Sequence, residues 1–248
     1  MAAGRKGTSR PPGPTIDQVI EEFLADQRGR LKRRTFTQHK DVLDLLRSHL
    51  NGYGYEGLSK AESALFDKYY DAEGEEHCEF CRLFGPDKIV ENLGGFLGYF
   101  MIRKVIAGAE LKRAAGTVTK KLSQWLVEKG YISEESAREG SERGGEAARD
   151  LPKADRATEI LLEAAEKFAA AGKELDDKDY RDFGQYTIAK LEPGKLWLKD
   201  PERDETLGPV PVPKEATSLL EEGWELSCAM GRIRGQWQIL EIANVYPM

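Results

Sequence analysis

The apolar residues of this chain change their period once, near Phe183, and that change limits what the chain can fold into. Before it they recur at helical spacing. Ile16, Val19, Ile20, Phe23 and Leu24 follow i, i+3, i+4, i+7, i+8, one buried face of an amphipathic helix. A second helix is expected from about Thr35, with Phe36, Val42, Leu43, Leu46 and Leu50 inward, ended by a glycine-bearing loop at 51–57. Ser59 followed by Glu62 is a capping-box pair that opens a third helix with Leu65, Phe66, Tyr69 and Tyr70. After a break at Gly85-Pro86, the residues Ile89, Val90, Leu93, Leu97 and Phe100 predict helix to about Ile106. Gly94, Gly95 and Gly98 weaken it by about 1 kcal/mol each relative to Ala and let a neighbouring helix approach. Val118, Leu122, Trp125 and Leu126 predict a further helix, closed at Gly130 by a left-handed cap. Polar residues 133–152 are expected to form a linker or a weakly docked helix. An alanine-rich helix follows over 154–172, with Ile160, Leu161, Ala164, Ala165 and Phe168 inward, and the acidic stretch 174–182 closes the helical region.

Beyond Phe183 the pattern is that of short strands. Tyr186, Ile188 and Leu191 come first, then Leu196-Trp197-Leu198. In Gly208-Pro209-Val210-Pro211-Val212-Pro213 the prolines share one parity. The missing donors therefore fall on one side of an extended strand, which puts this segment at a sheet edge. A short helix at 214–222 precedes a hairpin of 224–233 and 237–246, turned at Arg234-Gly235. The order β, β, β, short helix, β, β is that of a five-stranded OB-fold barrel, with an SH3-like barrel as the rival. The expected fold is α+β: a basic arm (1–14), a helical domain (15–132), a polar linker and bridging helix (133–182) and a small five-stranded β-barrel (183–248).

Charge is distributed in blocks. The chain carries a net −6, yet residues 1–50 are at +4 and 95–132 at +5, while 51–94 and 133–183 are each at −6 and 184–248 at −3. An anionic partner would meet the two basic blocks. No apolar run approaches the roughly 18 residues of a membrane span. The first fourteen residues, with Arg5, Lys6 and Arg10 among glycines and prolines, lack the apolar region of a secretory signal. An odd set of three cysteines, Cys78, Cys81 and Cys228, argues against a secreted disulfide framework. The expected setting is the cytoplasm.

Motifs for chemistry are sparse. His77-Cys78-Glu79-Phe80-Cys81 has a metal-knuckle spacing, but no second CxxC completes four ligands, and His39 and His49 sit on the second helix. Buried thiols are the plainer reading, and no metal or cofactor is expected. GxSxG, P-loop, HExxH and GxGxxG motifs are absent, so no catalytic residues are assigned and an enzyme is not expected. The basic helices remain. Arg28, Arg30, Lys32, Arg33 and Arg34 lead into the second helix, whose N-terminal amides add anion affinity. Arg103 and Lys104, Lys112 and Arg113, and Lys120 and Lys121 form doublets at helix ends and on the Trp125 helix. Several such charges on one face suit a phosphate backbone; dispersed, they are only a solvated surface. On the β part, Tyr186, Trp197 and Trp237, with Lys190, Lys195, Arg232 and Arg234 nearby, would suit base stacking or else fill a small core. A protein partner for the barrel is the alternative.

The stretches VIEEFLADQRGRLKRRTFTQHKDVLDLLRSHL and AAGTVTKKLSQWLVEKGYI resemble the SAM-like core-binding domain of tyrosine recombinases, the phage integrases. That domain has a first helix ending in a Phe-Leu pair, here Phe23-Leu24, and a turn into its second helix, here Leu31 to Thr35-Phe36. Its last helix is matched by Thr117, Val118, Lys120, Leu122, Trp125 and Leu126. The resemblance covers roughly 15–132 and implies a helical domain that clamps one face of duplex DNA, with Arg33, Arg34, Lys40, Lys120 and Lys121 at the phosphates. Two departures stand out. Residues 51–88 form an acidic insertion, and the recombinase catalytic set of arginine, lysine, His-x-x-Arg and tyrosine has no counterpart after residue 132, Tyr246 being read as a strand residue. The expected function is therefore non-catalytic binding of double-stranded DNA; the alternative is a protein-interaction or regulatory scaffold without nucleic-acid contact.

Overall fold

The computed structural model describes residues 13–168 and 175–247. It divides into two compact units, Met1–Phe100 with Ala114–Glu146 and Met101–Arg113 with Ala147–Met248. The arm residues Arg5, Lys6 and Arg10, and the end of the expected 154–172 helix, lie outside the described residues. The fold is α+β, helices first and an antiparallel sheet last.

In the first unit, α1 (Ile16–Arg28) starts at a full capping box, Thr15 and Gln18 satisfying each other's backbone N–H. Ile16, Val19, Ile20 and Phe23 are completely buried. The next helix, α2 (Arg33–Tyr53), runs through the first three residues of the expected loop. Asn51 holds that end in place, since its Oδ1 accepts from the Cys81 N–H at 2.9 Å and its Nδ2 donates to Glu79 at 2.7 Å. A 3-10 turn (Gly54–Gly57) follows, and α3 (Lys60–Tyr70) opens on the expected Ser59 and Glu62 box.

The single helix expected to reach Ile106 is broken into α4 (Phe80–Leu83), α5 (Asp87–Glu91), α6 (Leu93–Gly95), a π-helical turn (Phe96–Phe100) and α7 (Met101–Arg103). At the α5–α6 junction the Asn92 amide donates to the Lys88 carbonyl at 2.8 Å. The wider turn seats Phe96 and Phe100 around His49, at 5.8 and 5.2 Å between ring centroids. The following helix, α8 (Ala109–Glu128), ends as expected at Gly130, whose φ is +73°. Tyr131 N–H reaches the Leu126 carbonyl and Gly130 N–H that of Val127, the paired bonds of a Schellman cap.

The last helix, α9 (Glu134–Ala165), is continuous and contains Pro152. Residues 133–152 are thus neither linker nor loosely docked. Gly140 lies against Ser123, and Gly144 so close to the Gly116 carbonyl and the Lys120 N–H that a Cβ would come within 2.7 Å of either. The helix ends at Ala165, and Phe168 belongs to the turn after it.

In the second unit, β1 (Tyr180–Glu192), β2 (Lys195–Asp200), β3 (Glu205–Pro211), β4 (Glu225–Ile233) and β5 (Gln236–Tyr246) form one antiparallel sheet in the order β3-β2-β1-β4-β5. A short helix, α10 (Lys214–Thr217), joins β3 to β4. The expected barrel is corrected here: the sheet does not close, and β3 and β5 are its edges. A sheet must bury one face against another layer, and part of that cover comes from α9, whose Ala154, Ala157, Ile160, Leu161 and Ala165 share a core with Ile188, Leu196, Leu198, Leu226 and Ile242. The prolines of β3 sit on the edge as their parity requires, and Val212 N–H still donates to the Gly194 carbonyl at 3.0 Å. Arg234 and Gly235, at φ +50° and +82°, make the two-residue turn whose twist matches a hairpin.

Candidate nucleic-acid interface

The start of α2 is built against the usual rules for helix ends. A helix N-terminus leaves unpaired N–H groups and a partial positive charge, which side-chain caps and acidic residues normally offset. Both α1 and α3 follow that pattern, with Thr15 and Asp17, and with Ser59 and Glu62. By contrast α2 has Lys32 at its cap with no side-chain bond, no acid in its first turn, and Arg33 and Arg34 there instead. Arg33, Thr37 and Lys40, at i, i+4 and i+7, are all exposed on one stripe, with the Thr37 hydroxyl donating to the Arg33 carbonyl at 3.1 Å.

The core beneath this stripe joins α2 to α8. Phe23 of α1 stacks on His39 (6.4 Å) and meets Trp125 edge-on (5.4 Å). His39 is buried and donates from Nδ1 to the Thr35 carbonyl at 2.9 Å. Burial holds its pKa below the ordinary value, the Thr35 bond opposes this, and the nearby charge of Lys121 lowers it further. Lys121 is thus near enough to His39 of α2 for its charge to be felt there. Lys120 is its exposed neighbour, and Thr117 and Gln124 continue the same exposed stripe of α8. These two polar positions were missed from sequence, although their i−3 and i+4 spacing from Lys120 marked them. Farther along α2 the cation Arg47 is consumed by Asp17, Glu21 and Asp44. Lys129, just past the end of α8, is taken up by Glu22 and Asp26. Lys32, Arg33, Lys40, Lys120 and Lys121 are exposed, and among the described residues none of them is in an ion pair; Arg30 and Arg34 are exposed too. The Arg28 guanidinium lies over the Phe36 ring at 5.6 Å.

The other sequence candidates separate from this set. Arg103, Lys104, Lys112 and Arg113 belong to the second unit. Lys112 is not a surface cation at all: it is 8 % exposed and paired with Asp155. In the sheet, Tyr186 is a core residue, so it offers no stacking face. Trp197 on β2 has Lys190 over its ring at 4.6 Å and the Gly208 backbone against its indole. Trp237 on β5 carries Arg181 at 4.9 Å, and β1 and β4 lie between the two tryptophan strands. Arg232 donates to the Gly235 carbonyl and Arg234 shapes the hairpin turn. The sheet residues therefore do not form one stacking platform.

Cys78, Cys81 and Cys228 are buried free thiols, and burial pushes Cys81 and Cys228 upward in pKa. His77 is exposed and bonds the Tyr70 carbonyl. Among the described residues no group of three or more His, Cys, Asp or Glu is arranged to hold a metal ion, and no helix is long and apolar enough to cross a membrane. No protein-family model, curated protein or solved structure matches this chain.

Proposed function

We propose that the first unit binds double-stranded DNA without catalysis, through the face formed by the start of α2 and the middle of α8. The supporting observation is the uncapped, arginine-led start of α2, on a helix that shares the Phe23 core with Trp125 of α8. Orphan amides and exposed cations suit phosphate oxygens. Basic residues at that end of α2 oppose the helix dipole. The recombinase-like pattern of 15–132 points to the same helices.

The test is anisotropy of a labelled duplex with the full chain. Each phosphate neutralised contributes a log–log salt slope of about −0.9, so about five contacts should weaken binding about 10²–10³-fold between 50 and 200 mM salt. Charge reversal of Arg33, Lys40, Lys120 and Lys121 should abolish it, whereas Lys199→Glu on β2 should leave it unchanged. Absence of binding at low salt would overturn the reading.

A further inference from the structure

A second surface feature of the first unit serves neither its core nor the basic face. The rings of Tyr55 and Tyr70 are 48 % and 49 % exposed, and they flank Phe66. Tyr55 lies parallel to Phe66 at 6.2 Å, Tyr70 is tilted against it at 5.0 Å, and His77 continues the row 5.5 Å from Tyr70. The row is held firmly from behind. Phe66 is buried against Phe80 and Phe84 at 6.0 and 6.3 Å, and His77 donates from Nδ1 to the Tyr70 carbonyl at 2.7 Å. A single exposed tyrosine needs no explanation. Two in one ring array, backed by Phe80 and Phe84, form a ledge.

The surroundings of the ledge are acidic. Glu56 adjoins Tyr55, Asp67 precedes Tyr70 by one turn on the same side of α3, and Asp71, Glu73, Glu75 and Glu76 line the segment from Tyr70 to His77. All six are exposed, and among the described residues none is in an ion pair. Two nearby cations are engaged: Lys88 is buried between Glu62 and Glu91, and Lys68 lies over Tyr69 at 4.9 Å. Open tyrosine faces attract cations, and free carboxylates add charge-assisted hydrogen bonds. The same charges repel phosphate, so this surface is distinct from the basic one.

We propose that the ledge of Tyr55, Phe66, Tyr70 and His77 docks a lysine- and arginine-bearing peptide segment of a partner protein. The row is longer than one side chain, and its ring spacings of 6.2 and 5.0 Å approach the ~6.6 Å between alternate side chains of an extended peptide. Alternate basic residues would lie along the rings with their heads at the carboxylates. This assignment stands independently of the DNA reading.

The probe is a fluorescein-labelled peptide of alternating Ala with Lys or Arg, titrated with the full chain at low salt. Saturable binding is expected, weakened about tenfold by Tyr55→Ala with Tyr70→Ala and also weakened by Asp67→Asn with Asp71→Asn. These positions are exposed, and unchanged far-UV circular dichroism would show that the variants fold. The proposal is overturned if no saturable binding occurs, or if the tyrosine pair can be removed without effect, which would reduce the binding to bulk acidity. A rise in peptide affinity when Arg5, Lys6 and Arg10 are changed to Gln would mean that this chain's own basic segment takes the ledge, and would overturn the assignment to a partner.

Discussion

The Trp125 indole N–H donates to the Asp26 carboxylate at 2.8 Å, joining residues 99 positions apart. That bond is the main cause holding Asp26 below the usual carboxylate range. It pins α8 against α1 while the Trp125 ring packs on Phe23. Trp125→Ala should cost about 3–5 kcal/mol, read from the urea midpoint of the far-UV signal. Asp26→Ala should shift the midpoint in the same direction by less. An unchanged midpoint for the tryptophan variant would mean that the two helices do not depend on each other.

Adjacent glycines of α9 should respond oppositely to alanine. At Gly144 a Cβ would meet backbone atoms of Gly116 and Lys120 at 2.7 Å, and backbone cannot turn aside. Gly144→Ala should therefore cost about 1–3 kcal/mol, as overpacking does. At Gly145 the nearest atom is the Lys120 ammonium at 3.9 Å. Gly145→Ala should gain about 1 kcal/mol from helix propensity alone. Thermal melts of the two variants check this, and equal shifts would contradict the close approach of α8 and α9.

Those glycines also explain which elements were legible in the sequence. The α1, α3 and α8 helices announce themselves through large apolar residues at helical spacing and through Ser59 with Glu62 or Gly130 at the ends. The first half of α9 does not, because its contacts run through Ala137, Gly140 and Gly144, which carry almost no hydrophobic signal in a charge-rich stretch. In the sheet, the strand edges were marked by the parity of Pro209 and Pro211 and the hairpin by Arg234-Gly235. Closure was not legible, since it depends on whether β3 meets β5 and on α9 supplying Ile160 and Leu161 to the same core. The site divides similarly. Arg33 and Lys40 share a stripe by spacing alone, whereas the burial of Lys112 is decided by Asp155, 43 residues away.

Acid should destabilise the chain in two separate windows. His49 is 4 % exposed among Tyr53, Phe96 and Phe100, and burial lowers its pKa from 6.5 to about 4. The unfolded chain then binds more protons than the folded one between those values, so stability is complete above pH 6.5 and falls towards pH 4. The loss amounts to roughly 3 kcal/mol at most. Glu62, lowered from 4.5 to about 2 by Ser59 and Lys88, loses its contribution only below pH 4.5. His49→Phe should flatten the upper window in urea titrations and leave the lower one intact. His39 shares the direction, so a small upper slope should persist. A slope unchanged by His49→Phe would show that His49 is not the group responsible.

The start of α2 should trade stability for affinity. Lys32 provides no side-chain cap and adds a positive charge where the helix dipole is already positive. Lys32→Ser supplies the missing acceptor and should raise stability by about 1 kcal/mol. Lys32→Asp should raise it further by opposing the dipole. If duplex DNA binds at this helix end, both changes should weaken it, and the aspartate more than the serine, because it sets a carboxylate among Arg33, Arg34 and the incoming phosphates. Urea midpoints and duplex anisotropy on the same three proteins separate the two effects. Rising stability with unchanged affinity would leave the helix end as a structural irregularity and move any DNA contact to α8.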